Sequence, residues 1–197
     1  QCTHCSLTPG ARAKRKHMLR NSSLLILLLA LACSTREDRA QKEAVAAFEQ
    51  LEVQLRSELQ KAMKEGGPVQ AVSVCGNISA SLAQVGSTAG MQLKRVTDKP
   101  RNPGNKADAY EMTVFAEWKN LIGGGHNPGL HMGEDEGRLR IMKPIRIQAQ
   151  CLACHGPAAS MSKELKDALA EKYPEDQATD YALNDLRGAF SAIFAPQ

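Results

Sequence analysis

No apolar run in these 197 residues is long enough to span a bilayer. The longest, Leu24–Ala32, has nine residues, well short of the ~20 that a transmembrane helix needs. There is no surplus of one charge either. The net charge of +4 is set by Arg12, Lys14, Arg15, Lys16 and Arg20, which lie in a stretch of 32 residues with no acid; beyond it 20 basic residues face 21 acidic ones. The electrostatic footprint of a nucleic-acid-binding protein is therefore missing. There are no internal repeats, which leaves one domain and at most an extension. The folded part has no second C-x-x-C and no H-x-x-x-H, so a four-ligand zinc cage has no second half. No kinase-like or DNA-binding segment is recognisable.

What is present at the start reads as a leader. A basic segment, the apolar run and a closing set of small residues make a secretory signal peptide. We take Met18 as the initiator, residues 1–17 as an upstream over-extension of the reading frame, 18–32 as the signal peptide, 33–42 as a tether and 43–197 as the folded domain. On this division Cys2-Thr3-His4-Cys5 has no function, although it resembles a metal cluster. Ala30-Leu31-Ala32-Cys33 resembles a bacterial lipoprotein box, departing from it at Ala30, where leucine is commoner. Lipidation of Cys33 would anchor the protein to a membrane without spanning it, which places it in the periplasm, tethered to the outer membrane of a Gram-negative bacterium. Plain secretion after an A-x-A cleavage is the alternative.

The remaining pattern predicts an α+β domain. Val45, Phe48, Leu51, Leu55, Leu59 and Met63 recur at helical spacing within Glu37–Glu65, and Gly66-Gly67-Pro68 stops that helix. A second helix runs from Val69 to Val85. Met91–Thr97 alternates as a strand does. Asp108 is a suitable N-cap for a helix bearing Tyr110, Val114, Trp118 and Leu121. Gly123–Gly133 reads as a flexible loop, and Arg138–Gln148 as a strand that is bent or at an edge at Pro144. Ser160 is expected to cap a helix ending at Lys172, and Arg187–Phe194 to form a final strand.

The chemistry centres on Cys151-Leu152-Ala153-Cys154-His155-Gly156. C-x-x-C-H is the attachment pattern of a c-type haem: the thiols form thioethers with the two vinyl groups, and the histidine gives the iron an axial nitrogen. A thioredoxin-like redox pair would need a βαβ setting, which is not seen. One such motif means one covalent haem. Attachment takes place outside the bacterial inner membrane, consistent with the leader.

Cys75 is the other cysteine of interest. It shares a helix face with Ala71, Ile78 and Leu82. A lone cysteine in an exported protein is unusual. It is either a small buried hydrophobe or, as thiolate, the second axial ligand of the iron. His126, His131 and Met132 are rival ligands, but a glycine-rich loop would hold them loosely. Arg101, Asn102 and Asn105, in the turn-rich Lys99–Asn105, are candidate donors to haem propionates; a solvated turn is the alternative.

Taken in order, Arg95-x-Thr97, Arg101-Asn-Pro-x-Asn105, Cys151-Leu-x-Cys-His-Gly156, Tyr173-Pro-x-Asp176 with Ala178, and Arg187-Gly-Ala-x-Ser191 resemble a bacterial family of periplasmic single-haem c-type proteins. Its domain has a PAS-like fold and was long described as of unknown function. The resemblance runs from about Glu43 to Phe194. It implies a PAS-like antiparallel sheet flanked by helices, one covalent haem, and axial ligation by a motif histidine and a cysteine in an early helix. Those roles fall on His155 and Cys75. Four positions depart from the pattern: Ala107 stands for proline, Tyr110 for tryptophan, and Asp180 and Asn184 for glycines.

The expected function is electron transfer or the sensing of redox state or a diatomic gas, with an unidentified redox or signalling protein as partner. A thiolate ligand favours ferric iron and lowers the potential, and a six-coordinate iron offers substrate no open position, which argues against an enzyme. An electron carrier with Met or His ligation is one alternative, and a small five-coordinate peroxidase-like enzyme is another.

Overall fold

A computed structural model describes the backbone of residues 16–88 and 90–196, and the side chains of 36–72, 81–88 and 90–196. Residues 43–197 form a compact unit of their own. Among the described residues no helix is long and apolar enough to cross a membrane.

Helix α1 (Lys16–Gly86) is interrupted at Gly66 and Gly67, whose φ of −154° and +68° leave the helical region. Gly67 can take the second value because it lacks a Cβ. Pro68 then opens the next helical run, where its missing N–H has no helical partner to lose. From Glu43 to the break, Ala44, Phe48 and Leu51 are buried. They follow each other at four and three residues, the spacing of one helix face. Phe48 stacks on Phe190 with ring centroids 5.9 Å apart, and Glu52 accepts from Lys143 at 2.8 Å. This face covers one side of the sheet.

The sheet consists of β1 (Met91–Val96), β2 (His131–Asp135), β3 (Arg138–Arg146) and β4 (Leu186–Phe194). The order is β1-β4-β3-β2, antiparallel throughout, so the chain's last strand lies inside the sheet. On its other side lies α2 (Ala109–Gly123), opened by a capping box in which Asp108 and Glu111 each bond the other's backbone N–H. Val114, Phe115 and Trp118 of α2 pack on Val96, Met142, Leu186 and Ala189. The fold is thus α+β with a four-stranded antiparallel sheet and a long N-terminal helix.

A buried ion cluster fastens α2 to the sheet. Arg140, 1% exposed, donates to Asp108 at 2.6 Å, Glu111 at 3.1 Å and Asp135 at 2.9 Å. Ser191 donates to Glu111 at 2.7 Å, and Lys94 pairs with Glu111 at 3.0 Å. The Arg140 guanidinium meets three carboxylates through its two terminal nitrogens, while its Nε is buried without a hydrogen-bond partner; paired counter-charges are the condition under which burial of a charge is tolerated.

Two local expectations are corrected. The stretch read as a loop up to Gly133 contains the start of β2. Glu136 and Gly137, with φ of +51° and +73°, make the two-residue turn that pairs β2 with β3. His-Met-Gly-Glu-Asp carries neither alternation nor β-branched residues, so its strand state comes from the hairpin and not from propensity. Helix α4 (Lys163–Lys172) is capped by Ser162, not Ser160: the Ser162 hydroxyl accepts from Leu165 N. Ser160 closes a preceding 3₁₀ turn, Ala158–Ser160.

Candidate functional site

Between the covered sheet face and the segment after β3 lies a cavity of about 830 Å³, within the range of small-molecule and cofactor sites. Its floor is Phe190 with Arg95, Lys143 and Arg187 from three neighbouring strands, and its helical wall includes Leu55, Leu59, Met63, Ala71 and Val72 of α1. Cys151, Cys154 and His155 also line it.

Those three residues are placed by a compact chain path. A 3₁₀ turn, Ala149–Cys151, runs directly into α3 (Leu152–His155). Gly156 closes α3 with its N–H on the Leu152 carbonyl at 2.9 Å. A Cβ at Gly156 would lie 2.6 Å from that carbonyl oxygen, which accounts for glycine following the histidine. Cys154 packs against Val72, Met161, Leu165, Leu169 and Tyr173. Cys151 packs against Ile147, Ala178 and Tyr181. The thiols are therefore seated in separate apolar clusters and are not joined by a disulfide.

His155 Nδ1 lies 2.7 Å from the Ala178 carbonyl oxygen. A carbonyl only accepts, so Nδ1 carries the proton and Nε2 keeps its lone pair. Burial, then the Arg187 and Arg101 guanidiniums, push His155 well below the ordinary histidine range, so the ring is neutral near pH 7. This is the state in which imidazole can bind a metal.

The segment that supplies this acceptor is pinned from three directions. Asp180 N and Tyr181 N donate to the carbonyls of Gly156 and His155 at 2.9 and 3.0 Å, and the Asp180 carboxylate accepts from Ala158 N at 2.9 Å. Arg101 donates through Nε to Asp176 at 2.9 Å and through Nη2 to the carbonyls of Cys154 at 2.6 Å and Ala178 at 3.4 Å. Asp176 in turn accepts from Ala178 N at 2.8 Å. One guanidinium thus ties the Arg-Asn-Pro loop, the end of α3 and the Tyr-Pro-x-Asp segment together, and touches the atom that orients His155. Asp180 and Asn184 have φ of +61° and +69°. That left-handed region is natural for glycine and tolerated best by Asn and Asp, so the two departures from the glycine pattern preserve the turns.

The cavity wall is rich in positive charge. Arg56, Lys64, Arg101 and Arg146 line it together with the three cations of the floor, against Glu52 and Glu58.

Of the site residues expected from the sequence, Cys151, Cys154 and His155 come together on this cavity. The side chains of Cys75 and Cys33 lie outside the described residues. His126, His131 and Met132 are not among the residues lining the cavity; His131 Nε2 instead meets the Tyr110 hydroxyl at 2.8 Å. Arg101, Asn102 and Asn105 all line it, but the Asn102 carboxamide accepts from Gly104 N at 2.9 Å and Arg101 is engaged as described. Arg187 was missed. Its available signal is the Arg-Gly pair inside a strand, the mark of a bulge. Among the described residues no group of three His, Cys, Asp or Glu side chains could hold a metal ion.

The class is therefore a small α+β domain whose C-x-x-C-H segment opens on a cation-lined cavity. The chain belongs to the Tll0287-like family, whose model matches residues 34–195. A solved structure described as the cyanobacterial heme-protein Tll0287 is 26% identical to it, with a TM-score of 0.61, covering 80% of this chain and 94% of that one. No curated protein matches the chain.

Proposed function

We propose that this cavity holds one covalently attached c-type haem, and that the protein works in electron transfer or in sensing redox state or a diatomic gas. The observation that carries this reading is the convergence on one cavity of two thiols outside any disulfide and a neutral imidazole whose free nitrogen is Nε2. The donor set fits the group: the thiols can form the two thioethers, His155 can supply an axial nitrogen, and the surrounding cations suit a ligand with two carboxylates. Bound haem would supply an iron that cycles between ferric and ferrous states. This chain's own residues would then hold it, fix the histidine tautomer through Ala178, and keep water from its faces with Phe190 and the aliphatic wall of α1.

We further propose that Cys75 would supply the second ligand to the iron. It follows Ala71 by four residues and Val72 by three, and both of those line the cavity. The family resemblance supports Cys75, as does the absence of His126, His131 and Met132 from the cavity lining; the solved heme-protein relative supports haem binding alone. We further read the sheet with its helices as PAS-like, residues 43–197 as the haem domain, and the protein as an exported lipoprotein anchored through Cys33 and facing the periplasm.

The test is to produce the protein with c-type maturation factors and record its denatured pyridine spectrum and intact mass, beside Cys151→Ser/Cys154→Ser. One haem added covalently to the parent and none to the variant is the expected result; a parent without covalent haem would sink the reading. Low-temperature paramagnetic resonance of the ferric protein, with and without Cys75→Ser, then decides the second ligand. A low-spin thiolate signal lost in the variant supports Cys75, and identical spectra exclude it.

A further inference from the structure

Strand β4 has one residue too many for its neighbour. Its register against β3 pairs Gly188 with Ile145 and Leu186 with Arg146, which leaves Arg187 without an opposite residue. A bulge of this kind re-aims a side chain, and the Arg187 side chain lines the cavity. The next residue has to be glycine: its φ is +157°, and a Cβ there would come 2.4 Å from the Val96 carbonyl oxygen. Thr97, the residue after β1, holds the bulge, its hydroxyl donating to the Arg187 carbonyl at 2.9 Å and accepting from Arg187 Nη1 at 3.0 Å.

This guanidinium has no anion. No carboxylate pairs with it among the described residues, and its Nε is buried without a hydrogen-bond partner. The nearby acid, Asp176, is held by Arg101 at 2.9 Å. Lys99 lies over the Tyr181 ring at 4.5 Å, and Arg187 over the same ring at 5.6 Å. Arg95 and Lys143 add positive charge to the same floor. A half-buried cation whose Nε is enclosed without a partner is costly when it has no counter-charge, and a planar guanidinium matches a carboxylate in charge and in geometry.

We propose that Arg187 is the anion-holding residue of the cavity and pairs with a haem propionate. The inference rests on the haem reading above and moves the role assigned from sequence to Arg101 onto the bulge. Arg101 becomes a positioning residue, and the Arg-Gly-Ala-x-Ser segment exists to present Arg187.

The holoprotein tests this by resonance Raman spectroscopy of the propionate-bending band and by the reduction potential, in the parent, Arg187→Gln and Arg187→Lys. Loss of the bidentate guanidinium–carboxylate pairing should move the band to lower frequency in both variants. Loss of the charge should lower the potential in Arg187→Gln, because a nearby cation favours ferrous iron, and Arg187→Lys should restore most of it. If Arg187→Gln does not fold, the band in Arg187→Lys decides alone. Covalent haem with an unmoved band in the variants would overturn the assignment while leaving the haem reading intact. A parent without covalent haem would overturn both.

Discussion

Arg101 and Arg187 share a charge and a cavity but not a task. Arg101 and Asp176 are each only 11% exposed, and Arg101 also satisfies the carbonyls of Cys154 and Ala178. Removing one partner of such a pair leaves the other charge desolvated and alone. Arg101→Leu should therefore cost about 3 kcal/mol of folding free energy, measured by urea unfolding. Arg101→Leu/Asp176→Leu should recover part of it, because neither charge is then stranded. His131 gives a pH dependence. Burial pushes its proton affinity below the ordinary value of 6.5, with Glu117 opposing weakly. The folded state thus binds the proton less well than the unfolded one. The stability linked to His131 is fully present above about pH 6.5 and is lost as pH falls below it. Melting temperature should fall from about pH 7 to pH 5, and less steeply in His131→Gln, which keeps a polar partner for Tyr110. Equal slopes would show that His131 contributes nothing in that window.

Elements that follow from a simple period were readable in the sequence: the helix carrying Phe48 and Leu51, its stop at Gly66-Gly67-Pro68, the Asp108 cap, the alternation of β1. Strand β2 was not, because Met132 and Gly133 state no preference and the pairing is imposed by the turn at Glu136-Gly137. The β4 bulge was only half legible. The glycine after Arg187 hints at a bulge, but only the register against β3 shows that Arg187 has no opposite residue. Gly188→Ala tests the element directly. The new methyl would meet the Val96 carbonyl at 2.4 Å and Thr97 Cβ at 3.2 Å, so β1 and β4 must part. A loss of about 2 kcal/mol is expected by thermal unfolding, in line with other overpacked sites. A change below about 0.5 kcal/mol, the scale of a surface substitution, would mean that the bulge relaxes freely.

At the scale of the molecule, the thiols and the histidine could be found from C-x-x-C-H alone, because that spacing is a local property of the chain. The cavity they face could not. It is built from α1, three strands and a loop far apart in sequence, and no periodicity reports such a meeting. The strand order β1-β4-β3-β2 has a consequence for how the protein is made. Met91 pairs with Phe194, a closure across about a hundred residues that is slow and entropically costly. During synthesis, β1 and β3 wait without a common neighbour until the final strand emerges, and Cys151 and Cys154 leave the ribosome before the floor of their cavity exists. Truncation before Leu186 should therefore abolish cooperative unfolding in calorimetry instead of merely lowering its midpoint. Until that strand docks, the two thiols are reachable on an unfinished sheet. The last strand thus acts as a timer: its arrival ends the period in which they can be reached.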